Sequence, residues 1–483
     1  MKPFTVISRL RHLRRQTSLA ILSFCMTGVA VAQTVPAEVE DMLERTAIAR
    51  ENISLWVAPV DTGVPIVEWN SDVPRRPASV TKVITTGIGL LLLGENYCWR
   101  TEFSTNGSIH NGVLKGDLFI KAYGNPYLVE EDMRAMVAAL RQRGISRIEG
   151  RVALDRSYYA KQTQMQNPDA FDGHGMEPYN AIPSALSINF RTVKVNFEVK
   201  GGGVRVTTTP PLKNLVIDNQ MTLNKRKRCR GKKAFAPQLE LHRPSHTLTV
   251  RGSMSRRCSK QQVTRVIGDA GDLFFAHFKR AWEAAGGTMN NTWVYGHAGG
   301  PTTLLYEGVS QPLHEQIAAM NKLSNNLMTR QLFLTIGAEL TEPPATTSKG
   351  RGVVIQRLKK FGIDTRDLVI ENGSGLSRRT QLTATQLGQF MVAMQYTPVA
   401  SYFERSLSIA GVDGTLKRRL RGTPLAGNAV GKTGTLKGVK SLVGYLTSAS
   451  GRKFVYVVLL NGRKAKTGRP LMDELMQWIY HSY

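Results

Sequence analysis

Acidic residues are scarce in this sequence: 36 Asp and Glu stand against 64 Lys and Arg, a formal charge of +28 at pH 7. In a cytosolic protein such an excess would point to nucleic acid. Cysteine is scarcer still, at four in 483 residues, too few for a disulfide scaffold. Beyond the first 32 residues no apolar run is long enough to cross a membrane, and there is no internal repeat or low-complexity segment. Metal motifs are missing as well. The segment HEQIA at His314 is half a zinc motif without its second His, and His242 and His246 flank Pro244, which does not suit ligation from one helix face. No G-x-S-x-G elbow occurs. Neither a metal nor a cofactor is called for.

What is present begins with a leader. Lys2, Arg9, Arg11, Arg14 and Arg15 precede the apolar run LAILSFCMTGVAVA, and Ala30-Val31-Ala32 supplies a small-x-small cleavage site. Residues 1–32 therefore read as a secretory signal peptide, with a mature chain from Gln33. Export removes nucleic acid as the expected partner. The remaining positive charge fits cell-wall polymers or an anionic membrane face, or serves general solubility. Three cysteines remain. In an oxidising compartment Cys229 and Cys258, set in the basic segments KRKRCRGKK and SRRCSK, are candidates for a disulfide that holds like charges together. Cys98, between Tyr97 and Trp99, reads as a core residue.

The mature chain opens with a hairpin pattern, ISLWVAPVDTGVPIVEWN, and then an apolar helix, SVTKVITTGIGLLLL. From about residue 99 short alternating runs and turns take over, interrupted by the helix EEDMRAMVAALRQRG. Helical patterns return near residue 270, with LHEQIAAMNKLSNNLMTRQLFLTIG read as one continuous stretch. Three strand-like runs, AVGKTGTL, KSLVGYLTS and KFVYVVLLN, and a final helix close the chain. The pattern is α+β: one domain over 33–98 and 271–483, split by an inserted β-rich unit at 99–270.

Ser79 and Lys82 open the apolar helix. At i and i+3 they share a face, close enough for an amine to take a hydroxyl proton. The spacing alone decides little, because Ser450-Gly451-Arg452-Lys453 repeats it in a turn between two strand patterns. S-x-N occurs at 104–106, 187–189 and 324–326, and only Ser324-Asn325-Asn326 lies on a helical pattern. K-T-G occurs at 432–434, opening a strand, and at 466–468, in a polar loop. The first also completes AGNAVGKT, a relaxed phosphate-loop spacing, but Gly434 and the strand pattern after it deny the helix such a loop requires.

Order is what sets three of these matches apart. Ser79-x-x-Lys82, Ser324-x-Asn326 and Lys432-Thr433-Gly434 follow one another on a helix start, a helix and a strand, the triple of serine enzymes that react with penicillin. With GNPYL, YNAIPSALSINF, NKLSNNL, ENGSGLSR, GVDGTLKRRL, GKTGTL and SLVGYL, the chain resembles the D-alanyl-D-alanine carboxypeptidase/endopeptidases, the class C type of low-molecular-mass penicillin-binding proteins. The 241 residues between Lys82 and Ser324 suit that family's large insertion and exceed what a plain β-lactamase carries.

The resemblance implies a penicillin-binding/β-lactamase-like transpeptidase fold and a periplasmic enzyme acting on peptidoglycan peptides, inhibited by β-lactam antibiotics. It implies Ser79 as nucleophile and Lys82 as its base, with Ser324 relaying a proton to the leaving amine and Asn326 fixing Lys82 and the substrate amide. Lys432 would bind the terminal carboxylate with the Thr433 and Thr435 hydroxyls, Gly434 completing the motif, and the backbone N–H groups of Ser79 and Thr435 would hold the oxyanion. Lys82 must be neutral for this, so burial and a second cation, Lys432, must lower its pKa from about 10.4. In ENGSGLSR, Ser374 and Arg378 read either as a site-edge loop or as a structural turn; Asn372 stands where many members carry Asp. Two other readings remain open: a β-lactamase or esterase with the same site, and a non-catalytic cell-wall scaffold.

Overall fold

A central antiparallel sheet is assembled from the two ends of the chain. In the computed structural model, which describes residues 35–226, 228–231 and 233–483, its strands are β1 (Ile53–Pro59), β2 (Val67–Trp69), β3 (Ser408–Ile409), β4 (Ala429–Leu436), β5 (Val439–Thr447) and β6 (Lys453–Asn461), in the order β3-β4-β5-β6-β1-β2. The leader read at residues 1–32 lies outside the described residues. Among the described residues no helix is long and apolar enough to cross a membrane.

The unbroken apolar run of β6 follows from burial on both faces, since side chains alternate along a strand. Val455, Val457 and Leu459 join Trp56 and Val443 in a core capped by helices; Phe454, Tyr456, Val458 and Leu460 join Leu55, Val57 and Leu442 under the terminal helices Ala37–Arg45 and Arg469–Ser482. Three helices on the first face position the site. These are α1 (Lys82–Leu93), α2 (Leu313–Lys322) and α3 (Asn326–Leu340). The single helix expected across α2 and α3 is broken at Leu323–Asn325. Ser324 there has φ +57°, which no α-helix continues through, and Asn325 restarts the helix as its N-cap, its side chain accepting from the Met328 N–H at 3.0 Å.

The β-rich insertion builds a second core. Strand Arg100–Thr105 pairs antiparallel with Thr303–Val309, and the chain leaves and rejoins the central part at adjacent residues: Trp99 N–H donates to Ser310 Oγ (3.0 Å) and Ser310 N–H to Trp99 O (2.9 Å). Helix Ala270–Ala284 contributes Leu273, Phe274, Phe278 and Trp282 to this core, against Met133, Val137 and Leu140 of Glu130–Gln142. Helix Ala270–Ala284 and strand Thr303–Val309, read as lying outside the inserted unit at 99–270, thus pack and pair with its elements. An amphipathic pattern identifies a helix but not which sheet its apolar face covers. Cys229 and Cys258 form a disulfide, Cα atoms 5.1 Å apart, next to a three-stranded sheet of Val216–Asn224, Thr247–Ser255 and Phe235–His242. The core residue beside Cys98 is Trp99, whereas Cys98 itself is only half-buried.

Candidate active site

The chain reaches Ser79 through a tight turn rather than a regular helix start. Ala78–Thr81 form a 3-10 turn leading into α1, and Ala78 sits at φ +50°, a conformation that costs a non-glycine residue on the order of 1 kcal/mol. Neighbours hold the turn in place. The Thr81 hydroxyl donates to Ala78 O at 2.9 Å. Two glycines from distant segments press on it: a Cβ on Gly375 would lie 1.9 Å from Ala78 O, and one on Gly434 would lie 2.7 Å from Pro77 O and 3.1 Å from Ser79 N. Gly434 therefore lets β4 pass directly beside the Ser79 backbone.

Lys82 is wholly buried, at 0 % exposure. Its Nζ donates to Asn326 Oδ1 (2.7 Å) and to the Ser374 carbonyl, and lies 3.3 Å from Ser79 Oγ. No carboxylate pairs with it among the described residues. Burial, and then the neighbouring charge of Lys432, push its pKa well below the ordinary lysine value. A neutral amine has two N–H donors and one lone pair. Asn326 and Ser374 take the two donors, which leaves the lone pair for the Ser79 hydroxyl.

Lys432 is equally buried, and burial lowers its pKa to about 7. It donates to Ser324 Oγ at 2.8 Å and to Thr433 O at 3.0 Å. The left-handed Ser324 thus turns its hydroxyl toward β4 while Asn326, two residues on, reaches Lys82. The structure brings Ser79, Lys82, Ser324, Asn326 and Lys432 into one cluster, with Gly434 against its backbone. The Thr433 and Thr435 hydroxyls lie outside its hydrogen bonds: Thr433 donates to Thr415 Oγ1 at 2.9 Å, and Thr435, exposed, accepts from Lys440 Nζ at 3.1 Å. The repeated motifs land elsewhere. Lys453 pairs with Glu404 at 2.8 Å, and the second K-T-G lies on the turn Ala465–Thr467 and the residue after it.

Comparison with known proteins gives the chain a family. The model of the D-Ala-D-Ala carboxypeptidase 3 (S13) family matches residues 35–481. The chain belongs to this family. It is 24% identical over 448 residues to the D-alanyl-D-alanine carboxypeptidase DacB of Haemophilus influenzae, covering 89% of this chain and 90% of that protein. It is 26% identical over 456 residues to the D-alanyl-D-alanine carboxypeptidase of an Actinomadura species, covering 91% and 83%. The crystal structure of penicillin binding protein 4 (dacB) from Haemophilus influenzae matches with a TM-score of 0.75 at 24% identity, over 92% of this chain and 99% of that one. The α+β penicillin-binding fold is thereby shown.

Within this cluster, some contacts lie beyond the reach of motif reading because they come from backbone. Tyr179 O accepts from Asn326 Nδ2 at 3.1 Å and orients that amide; its only signal was the quoted segment YNAIPSALSINF. Ser374 is fully buried and offers its carbonyl to Lys82. Asn372 holds that loop, accepting from the Ser374 N–H (3.1 Å) and hydroxyl (2.9 Å) and donating to Leu376 O (2.8 Å). An amide fills both roles and adds no negative charge beside Lys82. Arg378 stacks over Phe171 at 4.9 Å, on the wall of a neighbouring cavity of about 610 Å³ that Asn372 and Leu376 also line.

Proposed function

We propose that this family member is an exported serine D-Ala-D-Ala carboxypeptidase that also cleaves peptidoglycan crosslinks as a DD-endopeptidase, through an acyl-enzyme on Ser79. The observation that carries the reading is the environment of Lys82: buried, paired with no carboxylate among the described residues, and with its Nζ 3.3 Å from Ser79 Oγ.

Lys82 takes the Ser79 proton as Oγ attacks the carbonyl carbon of the penultimate D-alanine. The oxyanion forms against the N–H groups of Ser79 and Thr435. Lys432 as ammonium binds the terminal carboxylate, assisted by the Thr433 and Thr435 hydroxyls. When the C–N bond breaks, Lys82 gives up the proton it took, which passes through Ser324 to the departing amine, and free D-alanine leaves. Water then attacks the ester carbonyl, giving its proton back through Lys82 and restoring the Ser79 hydroxyl. A crosslink differs only in the amine that leaves. A β-lactam presents its strained amide to the same attack and stays attached as the ring-opened ester. No step requires a metal or cofactor. The peptidoglycan of the periplasm is the substrate, and the excess of cations favours approach to an anionic wall or membrane face.

Labelling with a fluorescent penicillin, run beside release of D-alanine and of cleaved dimers from crosslinked sacculi, tests the proposal. Wild type should take the label and release both products, and Ser79→Ala should do neither. Equal labelling of Ser79→Ala would overturn the assignment, while rapid loss of label from wild type would favour the β-lactamase reading.

A further inference from the structure

The insertion contains a second cavity with an unusual charge arrangement. Of the four arginines buried to about the same depth, three are well satisfied. Arg75 donates to Ser54 Oγ and two carbonyls, Arg330 to Ala181 O and Gln166 Oε1, and Arg419 to Asp473. Arg191, 9 % exposed, makes one bond, Nη2 to Gly268 O at 3.4 Å, and its buried Nε has no partner. It forms no ion pair among the described residues, and burial lowers its pKa. A guanidinium held this way is costly unless something else meets it.

The backbone that holds it is also costly. Asn189, Phe190 and Arg191 have φ of 45°, 55° and 61°, three consecutive non-glycine residues in the left-handed region. Neighbours pin the run: Asn189 Oδ1 accepts from Glu130 N–H at 3.1 Å, and Phe190 packs edge-on against Tyr127 at 5.4 Å. Arg191 is thereby fixed in the wall of a cavity of about 260 Å³.

Asp272 lines the same cavity. Burial and the neighbouring Asp269 carboxylate raise its pKa, against the opposing influence of His246 and of hydrogen bonds from the Asp269 backbone and Trp293, and among the described residues it too forms no ion pair. Asp269 is already engaged, capping Gly271 N–H and meeting Tyr295 OH. One cavity, which Arg243 and Asp269 also line, therefore presents a guanidinium whose Nε has no partner and a carboxyl in no ion pair, and among the described residues no ion pair joins the two, although the Asp269 charge acts on both.

We propose that this cavity is a binding site for a small zwitterion of the α-amino acid class, its carboxylate on Arg191 and its ammonium on Asp272. The guanidinium fork matches a carboxylate, and the volume suits a ligand of amino-acid size. The inference does not depend on hydrolysis at Ser79, so the test reads binding alone.

D-alanine is titrated into the full protein by NMR, beside acetate and methylamine. Wild type should bind D-alanine saturably, and each single-charge probe at least about tenfold more weakly. Arg191→Gln and Asp272→Asn should each weaken D-alanine at least about tenfold, while Lys432→Ala, which removes the proposed carboxylate site beside Ser79, leaves it unchanged. Asp272 is only half-buried, so its variant serves if Arg191→Gln does not fold. Three outcomes overturn the proposal: no saturable binding, acetate binding as tightly as D-alanine, or loss in Lys432→Ala with none in Asp272→Asn.

Discussion

Ser79–Lys82 and Ser450–Lys453 have the same residue types at the same spacing and opposite fates. Lys453 begins β6, and its ammonium meets both oxygens of Glu404, at 2.8 and 3.1 Å; Ser450 sits in the turn before it, bonded to Ser448 at 3.1 Å. Lys82 is buried and pairs with no carboxylate among the described residues; its partners are a side-chain amide, a carbonyl and the Ser79 hydroxyl. Burial without a carboxylate is what lowers the Lys82 pKa, and the proposed role as base rests on that. A partner carboxylate would keep it charged at any physiological pH.

Removing both amines gives the largest contrast. Lys82→Met should slow acylation by penicillin about a thousandfold or more, whereas Lys453→Met should leave it within about twofold; the second-order acylation rate constant is the measurement, and comparable losses would erase the distinction. Making one region resemble the other is the next step. Asn326→Asp sets a carboxylate where Oδ1 now lies 2.7 Å from Lys82 Nζ, as Glu404 sits beside Lys453. The Lys82 pKa should rise, and since only the neutral amine acts, activity at pH 7 should fall about 10- to 100-fold and recover as pH rises. A pH profile parallel to wild type would show that the missing carboxylate is unimportant.

The smallest effect sharpens the contrast between the two buried lysines. In the proposed mechanism Lys432 acts as a cation, and its pKa of about 7 means that deprotonation begins near neutrality. KM for a peptide with a free terminal carboxylate should therefore rise above pH 7, toward about tenfold per pH unit. The change in kcat should be smaller, because a bound carboxylate favours the ammonium. A KM independent of pH between 6 and 9 would remove Lys432 from carboxylate binding.

Much of this site was readable in the chain. The hairpin and the strands of β4 to β6 follow from alternation and turn residues, with AVGKTGTL matching Ala429–Leu436 residue for residue. The cluster was legible through the order of its motifs. Conformation at single residues was not. Ser324 reads as helical because its neighbours do, and only tertiary contacts make the left-handed break worthwhile. The carbonyls of Ser374 and Tyr179 carry no side-chain signature, and any residue type supplies one. Arg191 in SINFR resembles a surface arginine until the fold places it beside a cavity. The pairing of Thr303–Val309 was out of reach for a related reason: its partner, Arg100–Thr105, lies some 200 residues earlier.

The junction of Trp99 and Ser310 bears on how such a chain arises. Two residues that exchange hydrogen bonds are spaced as the ends of a short turn, so the six-stranded half meets the whole insertion through a socket that an ordinary loop would fit. Bridging those ends by a few residues would leave the registry of β1 to β6 untouched. The cost would fall on a second seam, where Tyr158, Tyr159 and Ala185 cover Leu334 and Ala338 of α3 and the Tyr179 and Ala181 carbonyls hold Asn326 and Arg330. The inserted segment is thus interchangeable at its ends and committed at its flank, where any replacement must both keep that strip of α3 dry and return a carbonyl to Asn326.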